Sequence, residues 1–380
     1  MARILYGVAG EGMGHAIRSR VIIDHLAREH DVQVVVSGRA HDYLKAREHD
    51  RLGVKKIWGL TIVYEDNTVR NLRTVLSNLR TGVLGGVPGN VKTYFELVEA
   101  FRPEVVVTDF ETWSAIFAKR HRLPCISVDN IQVLNRCEHP DEIIRGERQA
   151  YLVGKGLVKA KVGPCYHYLV STFFYPKVVK PRTTLHPPAF RPEILAARPE
   201  RGEHLVVYQT STSNAGLPAI LAHSGLECRI YGLRRELAED VREGNLVYRP
   251  FSEQTFVEDL RTARAVVSGG SFTLMSEAVY LHKPMLSVPV QRQIEQIMNA
   301  RWLEKLGYGV EADHITEGNL AAFLERLPDL ERKIAEYRQD GNADLLGSLD
   351  RVLARALSGA PADGDDDAHD EGPALEDPLL

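Results

Sequence analysis

Cysteine is scarce: Cys125, Cys137, Cys165 and Cys228 are the only four in 380 residues, and no two have CxxC spacing. That excludes a disulfide framework and a zinc-ribbon pattern and leaves buried thiols as the expectation. No apolar run reaches the ~20 residues a membrane-spanning helix needs. The opening MARILYGVAGEG is a strand-length apolar stretch cut off by glycines, not a secretory signal, so a cytoplasmic location is expected. Acids are missing from two long stretches. None lies between Glu147 and Glu193, where Arg148, Lys155, Lys159, Lys161, Lys177, Lys180, Arg182 and Arg191 fall. None lies between Asp66 and Glu96, where Arg70, Arg73, Arg80 and Lys92 interleave with Val69, Leu72, Val75, Leu76 and Leu79 at helical spacing. The second pattern suits a peripheral contact with a membrane surface, an anionic ligand, or a solvated helix packed on a core. No nucleic-acid partner is expected.

Charged residues at 26% and hydrophobic residues at 44% fit a soluble globular chain whose length favours two domains. The net charge of −4 hides an imbalance: residues 359–380 hold eight acids and no Lys or Arg, leaving +4 on the rest. That acidic tail is expected to be disordered.

Strand-like runs at residues 4–8, 32–36, 105–108 and 126–128 alternate with helical stretches, the signature of a parallel doubly wound sheet. The pattern restarts at 205–208, 228–231, 246–248, 265–267, 285–288 and 310, after a proline-rich stretch. The expected fold class is α/β, with two Rossmann-like parallel-sheet domains facing across a cleft. Residues 1–180 form the first domain, 181–200 the linker, 201–345 the second domain, and 346–358 a C-terminal helix that can return to the first.

Residues 268–300, SGGSFTLMSEAVYLHKPMLSVPVQRQIEQIMNA, carry the densest chemical signal. Gly269 and Gly270 break a strand and open a helix with Ser271 and Thr273 in its first turn, offering unpaired N–H groups and a positive helix end to a phosphate. Gly270, Thr273 and Glu277 share one stripe of that helix, and Glu277 can accept bonds from vicinal ribose hydroxyls. Lys283 and Pro284 end it. A second helix, starting near Arg292, brings Glu295 and Gln296 to its first turns, where they suit sugar hydroxyls; Asn299 reads as a packing or capping residue.

This constellation resembles the donor half of GT-B glycosyltransferases, in particular the UDP-glycosyltransferase superfamily and the bacterial enzyme that adds N-acetylglucosamine to a lipid-linked peptidoglycan precursor. The resemblance implies a nucleotide-sugar donor, a UDP-sugar above all, as substrate and no separate cofactor. It extends roughly from Arg3 to Gly309. Two further donor-side positions follow from it. Ser211, Thr212 and Ser213 end a strand with hydroxyls and N–H groups for phosphate oxygens, although the family has more glycine there. Phe251, in Arg249-Pro250-Phe251, falls in the uracil-contacting segment, or in the core.

The first half supplies the loop Gly7-Val8-Ala9-Gly10-Glu11-Gly12-Met13-Gly14-His15. A dinucleotide fingerprint fails because His15 replaces its third glycine and no acid ends the next strand; a Walker loop fails because no Gly-Lys-Ser/Thr follows. A glycine loop ending in His at a helix start resembles the family's acceptor-side loop, in which the histidine is often the catalytic base and Gly14 lies beside the donor. An imidazole at a positive helix end is biased toward its neutral, proton-accepting form. Asp109, at the carboxyl edge of the same sheet, resembles the aspartate that pairs with that base; a helix N-cap is the plainer alternative. Arg18, one turn after His15, is within reach of a diphosphate or an acidic acceptor.

Asp109-Phe110-Glu111 also looks like an Asp-x-Asp metal motif, but that motif serves a single-sheet fold, so no metal site is expected. Retaining GT-B enzymes often carry two glutamates eight positions apart, and the position eight before Glu277 is Gly269. The reading is therefore an inverting, metal-independent glycosyltransferase acting on an acceptor hydroxyl that is lipid-linked or anionic. A nucleotide-sugar epimerase of the same fold would turn over donor without acceptor. A non-catalytic nucleotide-sugar-binding subunit would tolerate loss of His15.

Overall fold

The computed structural model describes residues 1–10, 12–59, 64–65, 68–69, 87–209 and 216–362. Two seven-stranded sheets organise the chain. The first is built from β1 (Arg3–Val8), β2 (Asp31–Val36), β3 (Leu52–Lys56), β4 (Val105–Asp109), β5 (Cys125–Asp129), β6 (His167–Ser171) and β7 (Thr183–His186). Their order is β7-β6-β5-β4-β1-β2-β3, and every pairing is parallel. The second holds β8 (Leu205–Tyr208), β9 (Cys228–Tyr231), β10 (Val241–Glu243), β11 (Leu246–Arg249), β12 (Ala265–Ser268), β13 (Met285–Ser287) and β14 (Gly309–Glu311). Its order is β10-β11-β9-β8-β12-β13-β14, parallel except for the antiparallel edge strand β10. Each sheet reverses its strand order beside its first strand, β1 in one and β8 in the other. The crevice at the carboxyl ends of the strands near such a switch point is where doubly wound sheets bind ligands.

Both sheets are covered on both faces, which explains why their central strands are unbroken apolar runs instead of alternating ones. On one side of the first sheet lie α1 (Met13–Leu26) and the C-terminal helix, whose Leu345, Leu349 and Leu353 join Ile4, Val34 and Val107 in one core. Their spacing of four puts them on one helical face. His25 pairs with Asp350 at 2.8 Å and His186 with Asp344 at 2.7 Å, so charged contacts flank that packing. On the other side lie α2 (Val87–Glu96), α3 (Thr112–His121) and α4 (Arg148–Lys161). Within 181–200, β7 is hydrogen-bonded into the first sheet and Pro192–Ala196 forms a short helix, α5, so the crossing between sheets runs from His186 to Leu205. The four cysteines are free and buried, and folding brings the Cys125 and Cys165 sulfurs to 3.7 Å, a proximity their spacing does not reveal. Among the described residues, no helix is long and apolar enough to cross a membrane. The acidic run from Asp363 onward and the basic-apolar pattern at 69–80 lie outside the described side chains.

Candidate active site

The glycine loop after β1 leads into α1, with Gly12 as N-cap and His15 in the first turn. Asp109 is the last residue of the neighbouring β4, opposite Val8 in register, so the sheet itself brings loop and carboxylate together. Phe110 then adopts a left-handed φ of 55°, sparsely populated for a bulky residue, which turns the chain sharply after the carboxylate.

Asp109 is fully buried, and four protein contacts converge on it. Its Oδ1 lies 2.9 Å from His15 Nδ1 and 2.5 Å from Arg18 Nη2; its Oδ2 accepts from Arg18 Nε at 2.8 Å and Ser19 Oγ at 2.8 Å. Burial opposes the charge, yet the Arg18 guanidinium and the His15 ring outweigh it and hold this carboxyl well below the usual range. An ionised carboxylate only accepts, so the His15 contact puts the proton on Nδ1 and leaves Nε2 as a proton acceptor. Arg18 Nη2 is also 2.7 Å from Nδ1, but a guanidinium only donates, and its proton has Asp109 to go to. Asp109 does not cap α3. Glu111 does, accepting from the Trp113 and Ser114 amides at 2.8 and 2.6 Å. The two acids of Asp109-Phe110-Glu111 thus face different partners, one the His15 ring and the other a helix end.

Arg18 extends the network. Its Nη1 donates to Asn130 Oδ1 at 2.5 Å, and Asn130 Nδ2 donates to Glu295 Oε1 at 3.0 Å. Because arginine only donates and a carboxylate only accepts, the amide orientation of Asn130 is fixed at both ends. Asn130 follows β5 and Glu295 sits in the first turn of α7 (Ile294–Lys305) in the second domain, so this chain of contacts spans the cleft. Neighbouring Asp129, buried and facing the Asp109 charge, is pushed up to about 6.

On the opposite wall, β12 ends at Ser268 and α6 (Phe272–Tyr280) starts after Gly269 and Gly270. Ser271 is its N-cap and makes no side-chain capping bond, leaving the first-turn amides open to an anion. Thr273 Oγ1 donates to the Gly14 carbonyl at 3.2 Å, which joins this helix end directly to the His15 loop. A Cβ on Gly270 would lie 2.5 Å from Gln296 Cβ and from its carbonyl oxygen, so only glycine fits that approach. Gln296 Oε1 accepts from the Gly270 and Val290 amides at 3.2 and 3.0 Å, and Asn299 Nδ2 donates to the Gly270 carbonyl at 3.2 Å. In this arrangement Gln296 braces the glycine turn through its side-chain oxygen.

Of the sequence-based roles, that of Glu277 is changed and that of Phe251 is narrowed. Glu277 is 3% exposed, and both its oxygens are bound by Arg191, whose Nε and Nη2 donate at 3.0 Å each. Burial pushes this carboxyl above its ordinary range against the pull of Arg191. The ribose contact implied for Glu277 is closed while the arginine fills it. Phe251 is 60% exposed at the mouth of β11, not a core residue. Ser211, Thr212 and Ser213 lie outside the described residues. Asn130 and Arg191 were not foreseen as site residues. Asn130 stands directly after a strand at the ligand-binding sheet edge, a positional signal that could have marked it; Arg191 carried none beyond its charge.

The comparisons agree with this architecture. Residues 2–328 match the family described as Glycosyl transferase family 1, and the chain belongs to that family. An uncharacterized glycosyltransferase of Methanosarcina acetivorans is 23% identical over 353 residues, covering 86% of this chain and 88% of the relative. A UDP-glucosyltransferase from Polygonum tinctorium superposes with a TM-score of 0.64 at 16% identity, over 93% of this chain and 99% of its own. LpCGTa, solved in complex with UDP, gives 0.61 at 13% identity, with the same coverage of 93% and 99%. The protein is a glycosyltransferase with the GT-B fold.

Proposed function

We propose that this glycosyltransferase transfers a sugar from a UDP-sugar to an acceptor hydroxyl with inversion and without a metal. The observation that carries the reading is the pairing of His15 with Asp109 on one wall, joined through Gly14 and Thr273 to an open helix end on the other. In one step the acceptor hydroxyl oxygen bonds to the anomeric carbon from the face opposite the leaving group. Its proton passes to His15 Nε2, and UDP departs with the electron pair of the broken C–O bond. Asp109 orients the ring and stabilises the imidazolium as it forms. The amides at Ser271 and Thr273, with the positive end of α6, stabilise charge on the departing diphosphate, the task a metal performs elsewhere. Glu295 and Gln296 lie beside the sugar, Phe251 near the base. The basic first domain suits an acceptor that is lipid-linked or anionic.

The test is acceptor-dependent UDP release from a panel of UDP-sugars. His15→Ala is expected to keep UDP affinity and lower transfer by about 10³-fold. Unchanged transfer sinks the mechanism. Prior treatment with a chelator is expected to leave the rate unaltered.

A further inference from the structure

On an ordinary surface helix the apolar stripe faces the core. Helix α4 departs from that rule. Tyr151 and Val158 reach inward, but Leu152, Val153, Gly156, Leu157 and Ala160 recur at helical spacing on the solvent side, with Leu152 60% and Leu157 65% exposed. The adjoining helices continue the pattern, with Ile116 of α3 61% exposed and Phe95 of α2 55% exposed. The three helices lie side by side on one face of the first sheet. Tyr94 of α2 sits 5.5 Å from the Phe117 ring of α3, and Lys161 of α4 sits 4.3 Å over the ring of Phe110, just before α3. Exposed apolar side chains gathered on neighbouring helices mark an interaction surface.

The charge around it selects the occupant. Neither α3 nor α4 contains an acid, while Lys119 and Arg120 sit on α3, and Arg148, Lys155 and Lys159 on α4. The acid that ends α2, Glu96, is paired with Lys55 and Lys92. A second copy would set these bases against each other. An anionic bilayer surface receives both the bases, at its headgroups, and the aliphatic side chains beneath them. We propose that the α2–α3–α4 face of the first domain docks onto a membrane surface rich in anionic lipid.

The face adjoins the cleft. At Gly154 of α4 an added Cβ would lie 2.7 Å from Ile294 Cγ2, at the start of the helix that carries Glu295. Docking therefore brings the cleft mouth to the lipid headgroups, and it is only in supplying a lipid-linked acceptor there that the inference rests on the proposed reaction.

The full chain would be co-sedimented with phosphatidylcholine vesicles and with vesicles in which phosphatidylglycerol is mixed in. Binding is expected with the anionic vesicles alone and is expected to weaken as salt is raised. Leu152→Glu with Leu157→Glu is expected to weaken it by about tenfold or more, whereas Leu357→Glu, on the opposite face of the sheet, leaves it intact. Failure of the parent chain to bind, or equal binding by the double variant, overturns the proposal. So does a dimer of the parent chain that the double variant dissociates. UDP binding and thermal unfolding, measured on the same variants, check that they remain folded. Loss of the transferase reading would appear as absent transfer in every variant, with vesicle binding unaffected.

Discussion

Arg18 grips both carboxylate oxygens of Asp109, Nε to Oδ2 at 2.8 Å and Nη2 to Oδ1 at 2.5 Å, across 91 positions of sequence. The same carboxylate contacts His15, so the arginine sets the position of the group that orients the imidazole. A planar fork can hold two oxygens at once, and an ammonium cannot. Arg18→Lys is therefore expected to fold and bind UDP while kcat for transfer falls by about 10- to 100-fold, with a smaller change in donor KM. Parallel loss of UDP affinity and kcat would instead assign Arg18 to the diphosphate.

Asp109→Asn removes the acceptor that requires the proton on His15 Nδ1. A loss of transfer of about 10²- to 10⁴-fold is expected, with UDP affinity retained. Single-turnover rates together with UDP titration separate the two effects.

Arg191 is the partner of a buried charge. Truncation to Met leaves Glu277 without its two donors and is expected to cost about 3–5 kcal/mol in a denaturant titration. Adding Glu277→Gln to that variant should recover most of the loss, because the uncompensated charge, not the missing contact, dominates the cost. If both variants are equally unstable, the pair is not the source.

Asp129 makes a distinct pH signature. Its folded value of about 6 lies above the ordinary 3.8, so the folded state holds the proton more tightly. Stability from this group is complete below pH ~4 and is lost as pH rises toward ~6, by about 3 kcal/mol at most. Asp109, held low, acts in the opposite sense: its contribution is present above its unfolded value and is lost on acidification. Asp129→Asn should flatten the fall between pH ~4 and ~6 and leave the acid limb in place, as measured by urea midpoints across pH.

Gly270→Ala would drive a methyl against the Gln296 backbone. An expected cost of about 1–3 kcal/mol comes with displacement of the α6 amides, and UDP affinity should fall more than for a change at Gly12, around which an added Cβ meets nothing.

Much of the fold is legible in the order of the residues. Ten short apolar runs read as strands, and each lies in one of the two sheets. Strand β10 escapes notice because Val241–Glu243 is a short edge with two charged residues, a composition edge strands adopt and loops share. Strand β7 escapes because its four residues lie between Pro181 and Pro187 and read as part of the proline-rich linker. At the site, the glycine turn, the open α6 start and His15 at a helix start are local features, set by residues within a turn of one another.

What sequence alone determined is therefore the elements, their order, and the open helix end after Gly269 and Gly270, because periodicity and backbone restriction act over a few residues. Which charges meet was decided only by tertiary structure. Arg191 and Glu277 are 86 positions apart and Asn130 and Glu295 are 165 apart, and both pairs depend on how two sheets close on each other. In a buried cleft every ionised group must find a partner, so packing assigned Glu277 to an arginine of the crossing segment and made Asn130 the bridge from Arg18 to the second domain.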